Sequence, residues 1–419
     1  MPRNILIVVE SYVRWLFYSR MRHSIENMGY KLFYLTTCPS VFAQAKNEGA
    51  PIKLVDKYTR AYDAVINEKV YLETLDVKSG ELTPHGAERV ARTIFGNLDE
   101  LTQTFKPDSV FIYNGTTIFG AVVGGYARQN GIATAYFELA NLPGKMFVDP
   151  EGTGAHSRLY RNPGILNACQ CNMAEFNSWR KDFIKRKLEN GFVPQVTHGK
   201  NSLKDYGYYT IDKLYFSHLA GEKKSYVSAY VDKFANAFLR KQQLQYDEEV
   251  NLSIKPYLFY PMQVSQDSQI LLHSQTDNIR AISKAYELAR EYGAELIVKP
   301  HPAEADKTHL AKICDLKQEL GFKLTGINTM KLITSSEAVV TINSTVGLEA
   351  KIAGKKVHTL GRAYYATFDD TALARYVQDY LVPVDYFSSE AINEGPIKKI
   401  LGRAEACKQE TLRQRYKAV

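Results

Sequence analysis

Three short runs of aliphatic and β-branched residues, each closed by polar or Gly/Pro chemistry, constrain this chain more than any other feature. Glu295-Leu296-Ile297-Val298 stops at Lys299-Pro300-His301-Pro302-Ala303-Glu304. Ala338-Val339-Val340-Thr341-Ile342 stops at Asn343-Ser344-Thr345-Val346-Gly347-Leu348-Glu349, and Lys356-Val357-His358-Thr359-Leu360 stops at Gly361-Arg362. With helical stretches between them, the runs predict parallel strands of an open α/β sheet. Ligands of such sheets bind beyond the carboxyl ends of the strands. His301, Ser344, Thr345 and His358 lie at such ends or close by.

The first half repeats the alternation. Asn4–Glu10 reads as a strand, Ser11 to about Met28 as a helix, and Lys31–Thr37 and Ile52–Val55 as further strands. Pro84 to Phe105 has the spacing of a long amphipathic helix. Ser109–Tyr113 is a buried strand, Gly120–Gln129 a small-residue helix and Ala133–Glu138 another strand. Together these predict an N-terminal Rossmann-like domain. Leu139 to Arg158, with Pro143-Gly144 and Asp149-Pro150-Glu151-Gly152, reads as a long irregular loop of the kind that carries function. Residues 170–245 read as charged and mostly helical, including Trp179–Leu188 and Ser225–Leu244. Asp247-Glu248-Glu249 then reads as a linker, Tyr257–Tyr260 as a strand and Asp277–Tyr292 as a helix. The expected division is residues 1–250, residues 251–385, and terminal helices over 386–419 that return to the first domain. The fold class is thus α/β, with two Rossmann-like domains facing each other across a cleft.

The composition, 45% hydrophobic and 23% charged, permits a large core and argues against disorder. The formal net charge of +8 favours anionic ligands. Lys and Arg are scattered in small clusters that read as solvated helix faces, and no nucleic-acid-binding signature is present, so a nucleic-acid partner is not expected. Five cysteines without zinc-type spacing point to a reduced, cytoplasmic setting. The apolar part of Met1–Glu10 is too short for a signal peptide. No apolar run has the length of a membrane span, so any membrane contact is expected to be peripheral.

Pro302 biases His301 toward an extended conformation at a strand end. An imidazole there can donate to a phosphate, with Lys299 adding charge; the plain alternative is a His satisfied within a turn. Ser344 and Thr345 precede a helix, where hydroxyls cap free N–H groups. The same groups can hold a phosphate at the positive end of the helix dipole. Gly347 lets a ligand or the strand come close. Glu349, one turn into the helix, can accept from ribose hydroxyls or face solvent. Phosphate-loop, dinucleotide, nucleophile-elbow and zincin motifs are all missing. No Asp-x-Asp of the kind that holds a metal–nucleotide complex is present either, so transfer from an activated nucleotide without a metal or other cofactor is favoured.

Lys-Pro-His-Pro, Asn-Ser-Thr-Val-Gly-Leu-Glu-Ala and Val-His-Thr-Leu-Gly-Arg-Ala-Tyr-Tyr together resemble the bacterial capsule-polysaccharide synthesis family. More narrowly, they resemble the retaining β-Kdo (3-deoxy-D-manno-oct-2-ulosonic acid) transferases of capsule and O-antigen lipopolysaccharide assembly. The specific part covers Tyr257 to Tyr365. The resemblance implies a GT-B fold, CMP-β-Kdo as donor and a lipid-linked glycan acceptor at the inner face of the inner membrane. It makes residues 1–250 the acceptor side and 251–385 the nucleotide-sugar domain. It implies that His301, Ser344 and Thr345 hold the CMP phosphate, that Lys299 and Gln263 line the donor pocket, and that Glu349 faces the ribose. Further catalytic domains in a longer protein stay open.

Retaining transfer by two inversions needs a carboxylate within reach of the anomeric carbon. The candidates are Glu10, Glu138, Asp149, Glu151 and Asp232. Asp232 is favoured as nucleophile because it is the sole acid in Ser225–Lys233, ahead of the linker. Its plain alternative is a helix-surface acid. Glu138 and Glu10, at strand ends, are the next candidates and suit a base toward the acceptor hydroxyl. The other readings are a sialyltransferase or glycerophosphotransferase that also uses a cytidine nucleotide, and a non-catalytic glycan-binding module.

Overall fold

The computed structural model describes residues 3–57, 62–140, 142–190, 203–222, 246–247, 250–252, 255–304 and 306–417. They form two compact units, each built on one sheet.

The first unit comprises Met1–Arg158, Gln195–Lys224 and Tyr380–Val419. Its sheet contains β1 (Asn4–Val9), β2 (Lys31–Thr36), β3 (Ile52–Leu54), β4 (Ser109–Tyr113), β5 (Ala133–Leu139) and β6 (Met146–Asp149), in the order β3-β2-β1-β4-β5-β6. All neighbours are parallel except β5 and β6. β4 is buried at every residue and β1 at five of its six, as parallel strands covered on both faces should be. One face carries α2 (Pro84–Thr104), whose N-terminus combines Pro at the first turn with Thr83, which accepts from the Gly86 N–H at 3.0 Å. Its Val90, Ile94, Leu98 and Leu101 fall on one helical face and enter the core with Leu6 and Val110. The opposite face is closed by Ile397, Ile400, Leu401 and Ala404 of the last helix, α10 (Glu394–Lys417), against Ile7, Phe111 and Phe137. Arg403 fastens this helix by donating to the Val148 and Tyr380 carbonyls at 2.6 and 2.8 Å.

The second unit comprises Leu159–Pro194 and Ser225–Asp379. Its sheet is fully parallel, in the order β11-β10-β7-β8-β9. The strands are β7 (Tyr257–Pro261), β8 (Glu295–Lys299), β9 (Lys323–Leu324), β10 (Ala338–Thr341) and β11 (Lys356–Thr359). The helices that matter below are α4 (Met173–Asn190), α6 (Asn278–Glu291), α8 (Thr329–Ser335) and α9 (Thr345–Ile352). Strand order reverses between β1 and β4 in the first sheet and between β7 and β10 in the second. Such reversals open a crevice at the carboxyl ends, where ligands of this architecture bind.

Several expectations need correction. The helix over Ser11–Met28 is two, α1 (Tyr12–Ser19) and Arg22–Asn27. The stretch expected as irregular loop contains β6, because an antiparallel partner, β5, is available to it. A single boundary near residue 250 is too simple, since α4 clusters with the second sheet while α5 (Leu203–Ala220) belongs to the first. Asp247 is no free linker: its N–H donates to the Leu324 carbonyl at 3.0 Å, and its carboxylate accepts from the Leu324 N–H at 2.7 Å and from Lys317 Nζ at 2.8 Å. The segment Ser225–Leu244 lies outside the described residues.

Candidate functional site

The crevice between β7 and β10 is fixed by a chain of buried amides. Tyr260 donates to Asn278 Oδ1 at 3.0 Å, and Asn278 Nδ2 donates to the Gln263 carbonyl at 2.7 Å. The Gln263 side chain donates to Asn343 Oδ1 at 3.0 Å, while its oxygen accepts from the Asn343 N–H at 3.2 Å. Asn343 Nδ2 then donates to the Gln269 carbonyl at 2.7 Å. Gln263, Asn278 and Asn343 are 5%, 1% and 6% exposed, so unpaired amides here would be costly. Gln263 therefore ties the end of β7 to the end of β10. This positions the crevice and differs from the pocket-lining role expected of it.

His301 follows β8. Its Nδ1 accepts from the Ala303 N–H at 3.1 Å. A backbone N–H can only donate, so a neutral ring carries its proton on Nε2, and that N–H is the group available to a ligand oxygen. Burial, reinforced by Lys299, holds the imidazole below its ordinary value against the opposing charges of Asp267 and Glu304. Glu304 holds the two neighbouring loops together, accepting from the Ser265 N–H at 2.7 Å and the Asp306 N–H at 2.9 Å. Lys299 donates to the Ile327 carbonyl and Thr329 Oγ1 at 2.8 and 2.9 Å, and burial lowers its pKa. Two of its three donors thus anchor the start of α8, leaving one for a ligand.

Ser344 caps α9, its Oγ accepting from the Val346 N–H at 3.2 Å. Thr345 opens the helix and is half-buried. Gly347 is required by protein packing: a Cβ there would stand 2.4 Å from Tyr365 Oη and 2.9 Å from Thr341 Cγ2. Tyr365 is buried and donates to the Ser344 carbonyl, so Gly347 allows Tyr365 to hold the cap. Glu349 forms an ion pair with Lys187 of α4 at 2.9 Å, and both side chains are largely buried. Its carboxylate thereby joins two helices of the unit. His358 lies within β11, paired in register with Val340, and its Nε2 contacts Tyr292 Oη at 2.9 Å. The structure thus sets His301, Ser344 and Thr345 at the carboxyl ends of two strands of one sheet, with Lys299 and Gln263 supporting them.

At the β1–β4 reversal of the first unit, Glu10 follows β1 and its carboxylate meets Arg14 Nη1 and Thr117 Oγ1. The Arg14 guanidinium lies 4.4 Å from the centre of the Tyr113 ring. The Glu10 side chain is only 7% exposed. Glu138 lies on β5 opposite Phe147 and is half-buried. Asp149 is fully buried and plays a part the sequence did not announce. Its Oδ1 accepts from the Glu151 and Arg158 N–H groups, and its Oδ2 from Tyr380 Oη, all at 2.9 Å. It thereby fastens the segment after β6. Asp232 lies outside the described residues. Among the described residues, no group of three or more His, Cys, Asp or Glu is placed to hold a metal ion. No described helix is long and apolar enough to cross a membrane.

Protein FixF of Sinorhizobium fredii is 35% identical over 115 residues, which is 26% of this chain and 27% of that protein. The capsule polysaccharide export protein KpsS of Escherichia coli is 27% identical over 297 residues, 64% of this chain and 71% of KpsS. Among solved structures, the KpsC beta Kdo 2,7 transferase of Thermosulfurimonas dismutans aligns at 15% identity and a TM-score of 0.35, covering 74% of this chain and 89% of that one. The family model described as capsule polysaccharide biosynthesis protein matches residues 119–373, a span containing α3 (Ile118–Gln129) almost entirely and the whole second sheet. The chain belongs to the capsule polysaccharide biosynthesis family.

Proposed function

We propose that the protein is a glycosyltransferase of capsule assembly that moves Kdo from CMP-β-Kdo to a lipid-linked glycan acceptor with retention of configuration. The observation that carries this reading is the pairing of His301 with the N-terminus of α9 at the carboxyl ends of the second sheet. The imidazole Nε2–H and the capped helix end both suit an oxyanion. The Kdo and cytidine assignments rest on the family motifs around these residues. Membership of a capsule family and the KpsS likeness support a place in capsule assembly.

In this reading His301, Ser344 and Thr345 hold the CMP phosphate, and Lys299 supplies its remaining N–H. Their charge and dipoles stabilise the phosphate as the bond between it and the anomeric carbon breaks. No metal or other cofactor enters the step. Asp232 attacks the anomeric carbon, CMP departs with the bonding electron pair, and a covalent Kdo–enzyme ester results. The acceptor hydroxyl then displaces the ester while Glu138 or Glu10 takes its proton. The Glu10 carboxylate meets Arg14 and Thr117, which hold it at the strand end.

The test is CMP release from CMP-β-Kdo, CMP-sialic acid and CDP-glycerol without acceptor. Release from CMP-β-Kdo alone, with a Kdo-sized mass gain on a peptide containing Asp232, is expected. Release from either other donor instead would assign a different cytidine transferase. Full activity of Asp232→Ala would remove Asp232 from the mechanism.

A further inference from the structure

A second feature of the second unit has no part in that mechanism. Between α6 and the end of β11 runs an open groove of about 540 Å³. Its apolar floor is Ile279 and Leu360, and its rim carries Arg280, Lys284, Ser283 and Thr276. Arg280 and Lys284 stand one helical turn apart on α6, so their cationic heads share one side of the groove. Both are exposed, and among the described residues neither has an ion-pair or hydrogen-bond partner for its side chain. Asp277, three positions before Arg280, uses its carboxylate to cap α6, accepting from the Arg280 N–H at 2.9 Å, and Glu287, three positions after Lys284, is exposed.

An apolar floor beside two unpaired cations and two hydroxyls matches a particular chemistry. A pyranose lays its C–H face on aliphatic side chains, its hydroxyls meet Ser and Thr, and a carboxylate on the ring meets Arg and Lys. A neutral sugar would leave the cations unused, and a bare inorganic anion would leave the floor unused. We infer that this groove binds an acidic glycan segment, with carboxylated sugars seated on Ile279 and Leu360 and paired with Arg280 and Lys284. The groove opens beside α6, whereas the phosphate site is built on α9. The inference rests on the groove's own lining and not on the identity of the donor.

Tri-galacturonate is a suitable probe, titrated calorimetrically into the full chain and into Arg280→Gln/Lys284→Gln, with maltotriose as the neutral control. Both changed residues are exposed, and unchanged thermal unfolding and CMP binding in the double variant show that the fold and the α9 site are intact. The wild type is expected to bind tri-galacturonate and not maltotriose, with affinity reduced about tenfold or more in the double variant. Equal affinity in the two proteins, no binding at millimolar probe, or displacement of the probe by equimolar sulfate at constant ionic strength would each overturn the inference.

Discussion

The two sheets of this protein end differently at the places where their strand order reverses. The second sheet presents neutral and cationic donors: the His301 imidazole, the Ser344-capped start of α9 and one N–H of Lys299. The first presents Glu10, paired with Arg14 and hydrogen-bonded by Thr117 beside the Tyr113 ring. Donors left free suit an anion that must be held and released. A carboxylate enclosed by its own partners suits structure first and chemistry second. Each unit also has a less visible buried layer, Gln263, Asn278 and Asn343 at the strand ends of one and Asp149 with Tyr380 after β6 in the other.

The largest effect should come from breaking the enclosed pair in the first unit. Arg14→Met leaves the Glu10 carboxyl group, 7% exposed, without its cation, which should cost about 3 kcal/mol of stability. Chemical denaturation measures it, and a loss near zero would mean that Glu10 is solvated and free for other work. His301→Ala should leave stability almost unchanged but lower kcat/KM for donor turnover about 100-fold, as expected for a donor aimed at developing charge. A loss under about threefold would make His301 a turn residue.

Gly347→Ala should destabilise by about 2 kcal/mol, the order found for overpacking in a filled core. The new methyl would meet Tyr365 Oη at 2.4 Å. Adding Tyr365→Phe should recover part of that loss. If it recovers none, the Thr341 contact on the other side dominates. The smallest effect is on pH. Burial holds His301 below its ordinary value. The unfolded chain therefore takes up a proton near pH 6.5 before the folded chain does. Stability from this group is complete above that pH and is lost as pH falls through the folded value. Thermal unfolding from pH 7 to pH 5 should show a shallower decline in His301→Gln. His358 is also held low by burial and contributes to the slope that remains.

The strands were legible where physics concentrates the signal. β7, β8 and β10 are runs of apolar, mostly β-branched or aromatic residues closed by Pro or polar turns, because parallel strands are buried on both faces. β9 has two residues and β6 sits in a stretch rich in Gly and Pro, so each is defined by its partner strand and not by its own sequence. His301 and Ser344 were legible as strand-end chemistry. The role of Gln263 was not, since its partners Asn278 and Asn343 stand 15 and 80 positions away. Gly347 was read as room for a ligand or the strand, and the neighbour proved to be Tyr365 together with Thr341, because side-chain packing across 18 positions leaves no local pattern. The division into units escaped a linear reading because the chain crosses between them more than twice.

The central claim is that the carboxyl ends of the second sheet hold a nucleotide phosphate through His301 and α9. Calorimetric titration of CMP and of cytidine into the wild type and into His301→Ala tests it directly. The account predicts that the wild type binds CMP at least about tenfold more tightly than cytidine and that His301→Ala loses most of this preference while its affinity for cytidine is unchanged. Equal affinity of the wild type for CMP and cytidine, or a preference that survives intact in His301→Ala, would contradict it.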